Sequence, residues 1–263
     1  MTIKKTFWQR YHMLVWSVLV VALYIWAFSG IQFNGFKEMA GEVTKAIFGG
    51  IFHPDWGYVY TGDGEDLVSL LIQTLAIAFL GTIVSAILSV PFAFWAARTQ
   101  KSFFHPRSTT GKLFLTFVRT FPEIVMAIMF IKAVGPGPYA GVLAVSFHSI
   151  GMLGKLFSEA IEGIDRRPGE AILAAGGNGL DVLIHATIPA VLPEFLSLTL
   201  YRFEIAVRSA SILGLVGAGG IGAPLLFSIG TRTWPRVGII LIGIVVMVIL
   251  IDFVSGQMRK RLV

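Results

Sequence analysis

The chain is built from long apolar runs separated by short polar breaks. One helical crossing of a bilayer core takes about 20 apolar residues. Runs of that order occupy 13–31, 68–97, 113–134, 138–157, 192–217 and 237–255. The pattern predicts an all-α polytopic membrane protein of about six transmembrane helices, a single domain over 1–263. The first run follows Lys4, Lys5 and Arg10. It is long for the apolar region of a signal peptide and lacks a clear small-x-small cleavage site, so it reads as a retained anchor.

The breaks carry the orientation, because cytoplasmic loops hold the excess of Lys and Arg. With the N-terminus inside, the inner side collects Lys4, Lys5, Arg10, Arg98, Lys101, Arg107, Lys112, Arg166, Arg167, Arg259, Lys260 and Arg261. The outer side holds Lys37, Lys45, Arg232 and Arg236. Both termini are therefore expected in the cytoplasm, as an even number of crossings requires. The segment 32–66 then lies outside. Its apolar patch Ala46, Ile47, Phe48, Ile51 and Phe52 suits an amphipathic helix on the membrane surface. His53, Asp55, Asp63, Glu65 and Asp66 lack a fixed ligand spacing and read as a solvated acidic loop, so no metal site is expected.

Composition agrees with a membrane solvent: of 263 residues, 55% are apolar and 14% charged, and mean hydropathy is +0.77. The net charge of +6 sits at the ends of apolar runs rather than on one soluble face, which argues against nucleic-acid binding. The absence of cysteine removes disulfides, Cys-ligated zinc and iron–sulfur clusters. No GxxxxGK[ST] phosphate loop is present, so ATP chemistry, with its magnesium, would have to come from a separate subunit. No catalytic residue and no cofactor are assigned to this chain. His148 lies beside Ser146 and Ser149 but has no acid at helical spacing, and reads as a hydrogen-bonded interior histidine rather than part of a triad.

One inner loop, 159–190, is too polar to cross and too patterned to be a linker. Pro168 suits the first turn of a helix, and Gly176 with Gly177 suits a left-handed cap at its end. Between them Glu170, Ala171, Ile172, Leu173, Ala174 and Ala175 make a short helix with a small-residue face. A second segment, 180–186, is expected to stop before Pro189. Two short helices about a glycine turn form a knob suited to a groove on another protein. These residues resemble the coupling-loop signature of ABC importer permeases, matched by Glu170, Ala171, Ala174 or Ala175, Gly176, Ile188 and Pro189. Ile172, Ala186 and Ile188 depart from the signature.

Three further stretches carry a narrower resemblance: RTFPEIVMAIMFIKAVGPGPYAGVLAVSFHSIGMLGKLFSEAIE, LYRFEIAVRSASILGLVGAGGIG and IDFVSGQMRK. Together, over roughly 68–258, the chain resembles the phosphonate ABC transporter permease family, whose phosphite and hypophosphite relatives share the pattern. The resemblance implies the ABC importer permease fold with cytoplasmic coupling helices in a bacterial inner membrane. It also implies a second copy of the chain with the pore between the two, two ATPase subunits on the coupling loops, and a periplasmic or lipid-anchored solute-binding protein. The implied substrate is a phosphonate or related phosphorus oxyanion; an importer permease for an amino acid is the alternative. A secondary transporter would show an internal repeat or paired broken helices, and neither is found.

Charges inside the bilayer are costly and usually face a protein interior or a pathway. Arg119 with Glu123, and Glu204 with Arg208, are spaced to pair on one helix face, as structural ion pairs or as part of a translocation path. Arg202, Lys132 and Lys155 are expected nearer the interfaces. In GLVGAGGIGAP, residues Gly217, Gly219 and Gly220 suit close helix approach or an outer gate.

Overall fold

The computed structural model describes residues 7–30, 40–98 and 106–262. Lys4, Lys5, Lys37 and Lys101 lie outside the described residues, as does 32–39 of the outer loop. Everything regular in the described residues is helical. The chain divides into two compact units, Met1–Ile47 and Phe48–Val263.

The first unit holds α1 (Phe7–Ser29) and the start of α2 (Ala40–Phe52). From Tyr11 onward α1 exposes every side chain, Trp16, Tyr24 and Trp26 among them. A helix apolar on all sides suits lipid rather than water.

The second unit holds α3 (Leu67–Ala96), α4 (Pro106–Thr120), α5 (Glu123–Val134), α6 (Pro138–Gly163), α7 (Arg167–Ala174), α8 (Gly179–Val182), α9 (Ile188–Leu213), α10 (Gly222–Gly230) and α11 (Trp234–Arg259). Asp66 caps α3: its carboxylate accepts from the backbone N–H of Ser69 at 2.8 Å and from those of Thr61 and Gly62. Among the described residues five helices are long and apolar enough to cross a membrane, or six with α4 and α5 taken as one bent span.

That bend corrects the sequence reading of 113–134 as one unbroken helix face, while the pair still counts as one span in the total of six. α4 and α5 meet at 78° across Phe121 and Pro122. Pro122 has no N–H and holds an extended ψ of 137°, while the residue before a proline is driven out of the helical region. The second correction concerns Pro189, which does not stop the preceding segment. A π turn at Leu183–Thr187 joins α8 to α9, with the N–H of Ile188 donating to the Leu183 carbonyl five residues back. Widening the turn re-routes the carbonyls, so a proline that lacks its donor is accommodated.

The core is made by close approach of small residues. Ala78, Ala127, Ala144, Ala206 and Ala210 are buried between α3, α5, α6 and α9. A Cβ added at Gly81 would lie 2.6 Å from Val145, so α3 and α6 can meet at this distance only without a side chain there. Nearer the end of the bundle that carries α7, Phe157 of α6 stacks on Phe195 of α9, with centroids 4.0 Å apart.

Candidate functional site

The loop 159–190 forms the expected pair of short helices about a glycine turn. Pro168 lies in the first turn of α7, and the helix ends in a Schellman cap: Gly177 N–H donates to the Ile172 carbonyl at 2.9 Å and Gly176 N–H to Leu173 at 3.1 Å. Gly176 has φ +88°, in the left-handed region that favours glycine. α8 opens with a capping box in which Asn178 and Asp181 each receive the other's backbone N–H. Glu170, Ala171, Ala174, Ala175 and Gly176 are all exposed, as are the large apolar side chains of Leu173, Leu180 and Ile184. These three leave apolar surface exposed on the capped knob. Its base is tied to the bundle by Glu162, which accepts from Lys112 Nζ at 2.7 Å and from the backbone N–H of Arg98. Beside it, hydrogen bonding from Arg167 holds the Asp165 carboxyl below its ordinary range.

A second group of polar and charged side chains gathers where α4 breaks from α5. Arg119 ends α4 and Glu123 begins α5, so the bend takes them off a common helix face and the expected pair does not form. Glu123 is instead engaged by Arg202 of α9, whose Nη2 lies 3.4 Å from both carboxylate oxygens. Arg202 is 1% exposed, which corrects its expected place near the interface. Its Nε donates to Ser149 Oγ at 2.7 Å and its Nη1 faces Met152 Sδ. A buried guanidinium needs several acceptors, and two helices, α5 and α6, supply them here. Arg119 is exposed and has no ion-pair partner among the described residues. With Thr116, Thr120, His148 and Met152 it lines a pocket of about 460 Å³. His148 Nδ1 is 3.1 Å from the Phe121 carbonyl at the break.

Glu204 and Arg208 do not pair with each other either. Arg259 donates to Glu204 at 2.7 Å, and Arg208 donates to both oxygens of Asp252. Both bonds therefore cross from α9 to α11. Asp252 and Arg259 went unassigned because helical spacing on one helix says nothing about a neighbouring helix.

The glycine segment packs tightly at the other end of the bundle. Gly217, Gly219 and Gly220 have φ of +92°, +82° and +78°. A Cβ on Gly219 would sit 2.7 Å from Pro138, and Gly220 N–H donates to Gln73 Oε1 at 2.8 Å. Gly137 N–H donates to the Gly217 carbonyl, so the segment is bound to both α3 and the start of α6.

Residues 89–263 match the family described as binding-protein-dependent transport system inner membrane component. The chain belongs to that family. This inner-membrane component is 43% identical over 192 residues to the phosphite transport system permease protein PtxC of Stutzerimonas stutzeri, a match spanning 73% of this chain and 69% of the relative. It is 39% identical to the phosphate-import permease protein PhnE of Mycolicibacterium smegmatis over 76% of this chain and 37% of that relative. In fold it resembles the methionine ABC transporter MetNI in an inward-facing conformation, with a TM-score of 0.66, 20% identity, and 75% of this chain and 96% of that one covered. The chain is thus a multi-pass inner-membrane permease of a binding-protein-dependent ABC importer, a transport component rather than an enzyme, and its ATPase is a separate subunit.

Proposed function

We propose that this permease imports phosphonates or a closely related phosphorus oxyanion. The observation that carries the reading is 43% identity across most of the chain to a permease named for phosphite. Relatives named for phosphate and for phosphonate, at 39% and 42% identity, point to the same tetrahedral anion class. The likeness to the methionine transporter carries the fold alone.

In this reading the whole chain, 1–263, works as one transmembrane subunit, paired with a second copy across a pore. Two ATPases dock on the two knobs through Glu170, Ala171, Ala174, Ala175 and Gly176, with Ile188 and Pro189 setting the base where α9 leaves the loop. ATP and magnesium belong to those subunits, and a solute-binding protein delivers the anion from outside. The excess of Lys and Arg on the knob side supports termini in the cytoplasm. ATP-driven closure of the ATPases would draw the knobs together and bias the bundle toward an outward-open state; hydrolysis would reset it. Arg119 and Glu123 stand beside the path. Glu204 and Arg208 brace α9 on α11 as the path reshapes, and Gly217, Gly219 and Gly220 allow close packing at an outer gate.

The test is reconstitution with the cognate ATPase and binding protein, after titrating the binding protein with methylphosphonate, phosphite, phosphate and methionine. Micromolar binding, about 8 kcal/mol, of a phosphorus anion together with its ATP-dependent uptake is expected. Capture of methionine and none of the phosphorus anions would overturn the substrate class.

A further inference from the structure

We propose that the pocket at the α4–α5 break is a binding station for a small phosphorus oxyanion that still carries one P–OH proton. Arg119 and Thr116 are its donors, and His148 and Thr120 its acceptors. The proposal deepens the importer reading and rests on it for the identity of the anion.

Depth is the first argument. A Cβ added at Gly151 would lie 2.8 Å from the Arg119 backbone nitrogen, so Arg119 sits against the middle of the 26-residue α6. At 1.5 Å per residue that is about 20 Å from either end of the helix. An exposed arginine at this level is not stable against lipid tails, and such residues face a protein interior or a water-filled path. Charge is the second. Glu123, the acid four residues on, is engaged by buried Arg202. Arg119, Arg202 and Glu123 together leave one positive charge, which one monoanion neutralises.

Hydrogen-bond capacity then selects the anion. A carbonyl can only accept, so the contact between His148 and the Phe121 carbonyl places the proton on Nδ1 and leaves Nε2 of the neutral ring as an acceptor. The Thr120 hydroxyl donates to the Thr116 carbonyl at 2.8 Å, which leaves its oxygen lone pairs free. The Thr116 hydroxyl makes no hydrogen bond among the described residues and can donate, and Arg119 offers a planar fork for two anion oxygens. A site with acceptors as well as donors suits the monoanions of phosphite, phosphate or methylphosphonate. It disfavours sulfate, which brings no proton for Nε2 or Thr120.

The chain contains no cysteine, so Met152→Cys installs a single thiol in the pocket wall. The complete assembly, with ATPase and binding protein, would be placed in vesicles and labelled with an anionic thiol reagent in the presence of phosphite, methylphosphonate or sulfate. Phosphite and methylphosphonate are expected to slow labelling severalfold and sulfate not to. Adding Arg119→Gln should abolish the protection, and Arg119→Gln alone should lower uptake by roughly tenfold or more, the scale of one lost charge-assisted hydrogen bond. Arg119→Lys should retain part of both. Labelling unaffected by any anion in vesicles that import phosphite would overturn the station and leave the importer reading standing. Protection by phosphite without uptake of any phosphorus anion would uphold the station and count against the transport reading. Equal protection by sulfate would contradict the acceptor roles of His148 and Thr120. The labelling arm keeps Arg119 intact, so the test survives misfolding of the Arg119 variants.

Discussion

The knob at α7–α8 and the polar cluster at the α4–α5 break stabilise their polar groups in opposite ways. In the knob each hydrogen bond closes within a few residues: Gly177 to Ile172, Gly176 to Leu173, Asn178 with Asp181. In the cluster the partners are far apart in the chain, with Arg202 reaching 79 residues to Glu123 and 53 to Ser149. The knob is a locally capped part whose α7 and α8 side chains are largely exposed. The cluster exists only once three helices have packed, and it shares their stability. Damage to the knob should therefore cost coupling with little stability, and damage to the cluster should cost stability first.

The largest expected effect is in the cluster. Arg202→Met leaves Glu123 without its cation in a low-dielectric setting and should destabilise the bundle by about 3–5 kcal/mol. Adding Glu123→Leu removes the orphaned charge, so the double variant should unfold at a higher temperature than Arg202→Met alone. A double variant no more stable than the single would mean that the two side chains are not coupled.

A smaller effect is expected in the knob. Gly176→Val places a β-branched residue at φ +88° and should cost about 1–2 kcal/mol locally. Because the knob folds on its own hydrogen bonds, membrane insertion and the melting temperature should change little, while co-purification of the ATPase falls. Loss of insertion together with ATPase binding would erase the contrast between the two regions.

This contrast also separates what could be read along the chain from what could not. The knob was legible because proline and glycine act on their own neighbourhood: Pro168 starts α7 and Gly176 ends it. The crossings were legible because bilayer thickness sets the length of an apolar run. The ion pairs were not. Spacing of four identifies partners only on an unbroken, isolated helix, and Pro122 breaks the first case while α11 intervenes in the second. Arg202, taken for an interfacial residue, is the most buried charge of the cluster because its acceptors come from α5 and α6. Pro122 was passed over and Pro189 over-read for one reason: a proline removes one donor, and whether the chain bends or widens to compensate depends on what packs around it.

Two finer effects sharpen the account of α9 and α11. A double-mutant cycle on Glu204 and Arg259 should show coupling of about 1–2 kcal/mol. A cycle on Glu204 and Arg208 should show almost none, and the Arg208–Asp252 pair, half-exposed on both sides, about 0.5 kcal/mol. Appreciable coupling between Glu204 and Arg208 would restore the intrahelical pairing. At the start of α3, hydrogen bonding from Ser69, then from Gly62 and Thr61, holds the Asp66 carboxyl below its ordinary range. A lowered native value makes this cap fully stabilising above the unfolded carboxylate's pKa, about 4, and weaker as the pH falls below it. Wild-type protein should therefore lose more thermal stability on acidification than Asp66→Asn, and equal acid slopes would remove Asp66 from the account.

The central claim is that this chain is a passive path driven by ATPases through the α7–α8 knob. Its most direct test is uptake of phosphite and methylphosphonate by vesicles carrying the complete assembly, wild type against Gly176→Val, with membrane-inserted permease quantified in the same vesicles. Uptake that requires ATP and the binding protein, and that falls to background in Gly176→Val at equal insertion, is the predicted result. Uptake that persists without ATP, or that Gly176→Val leaves unchanged, would contradict it.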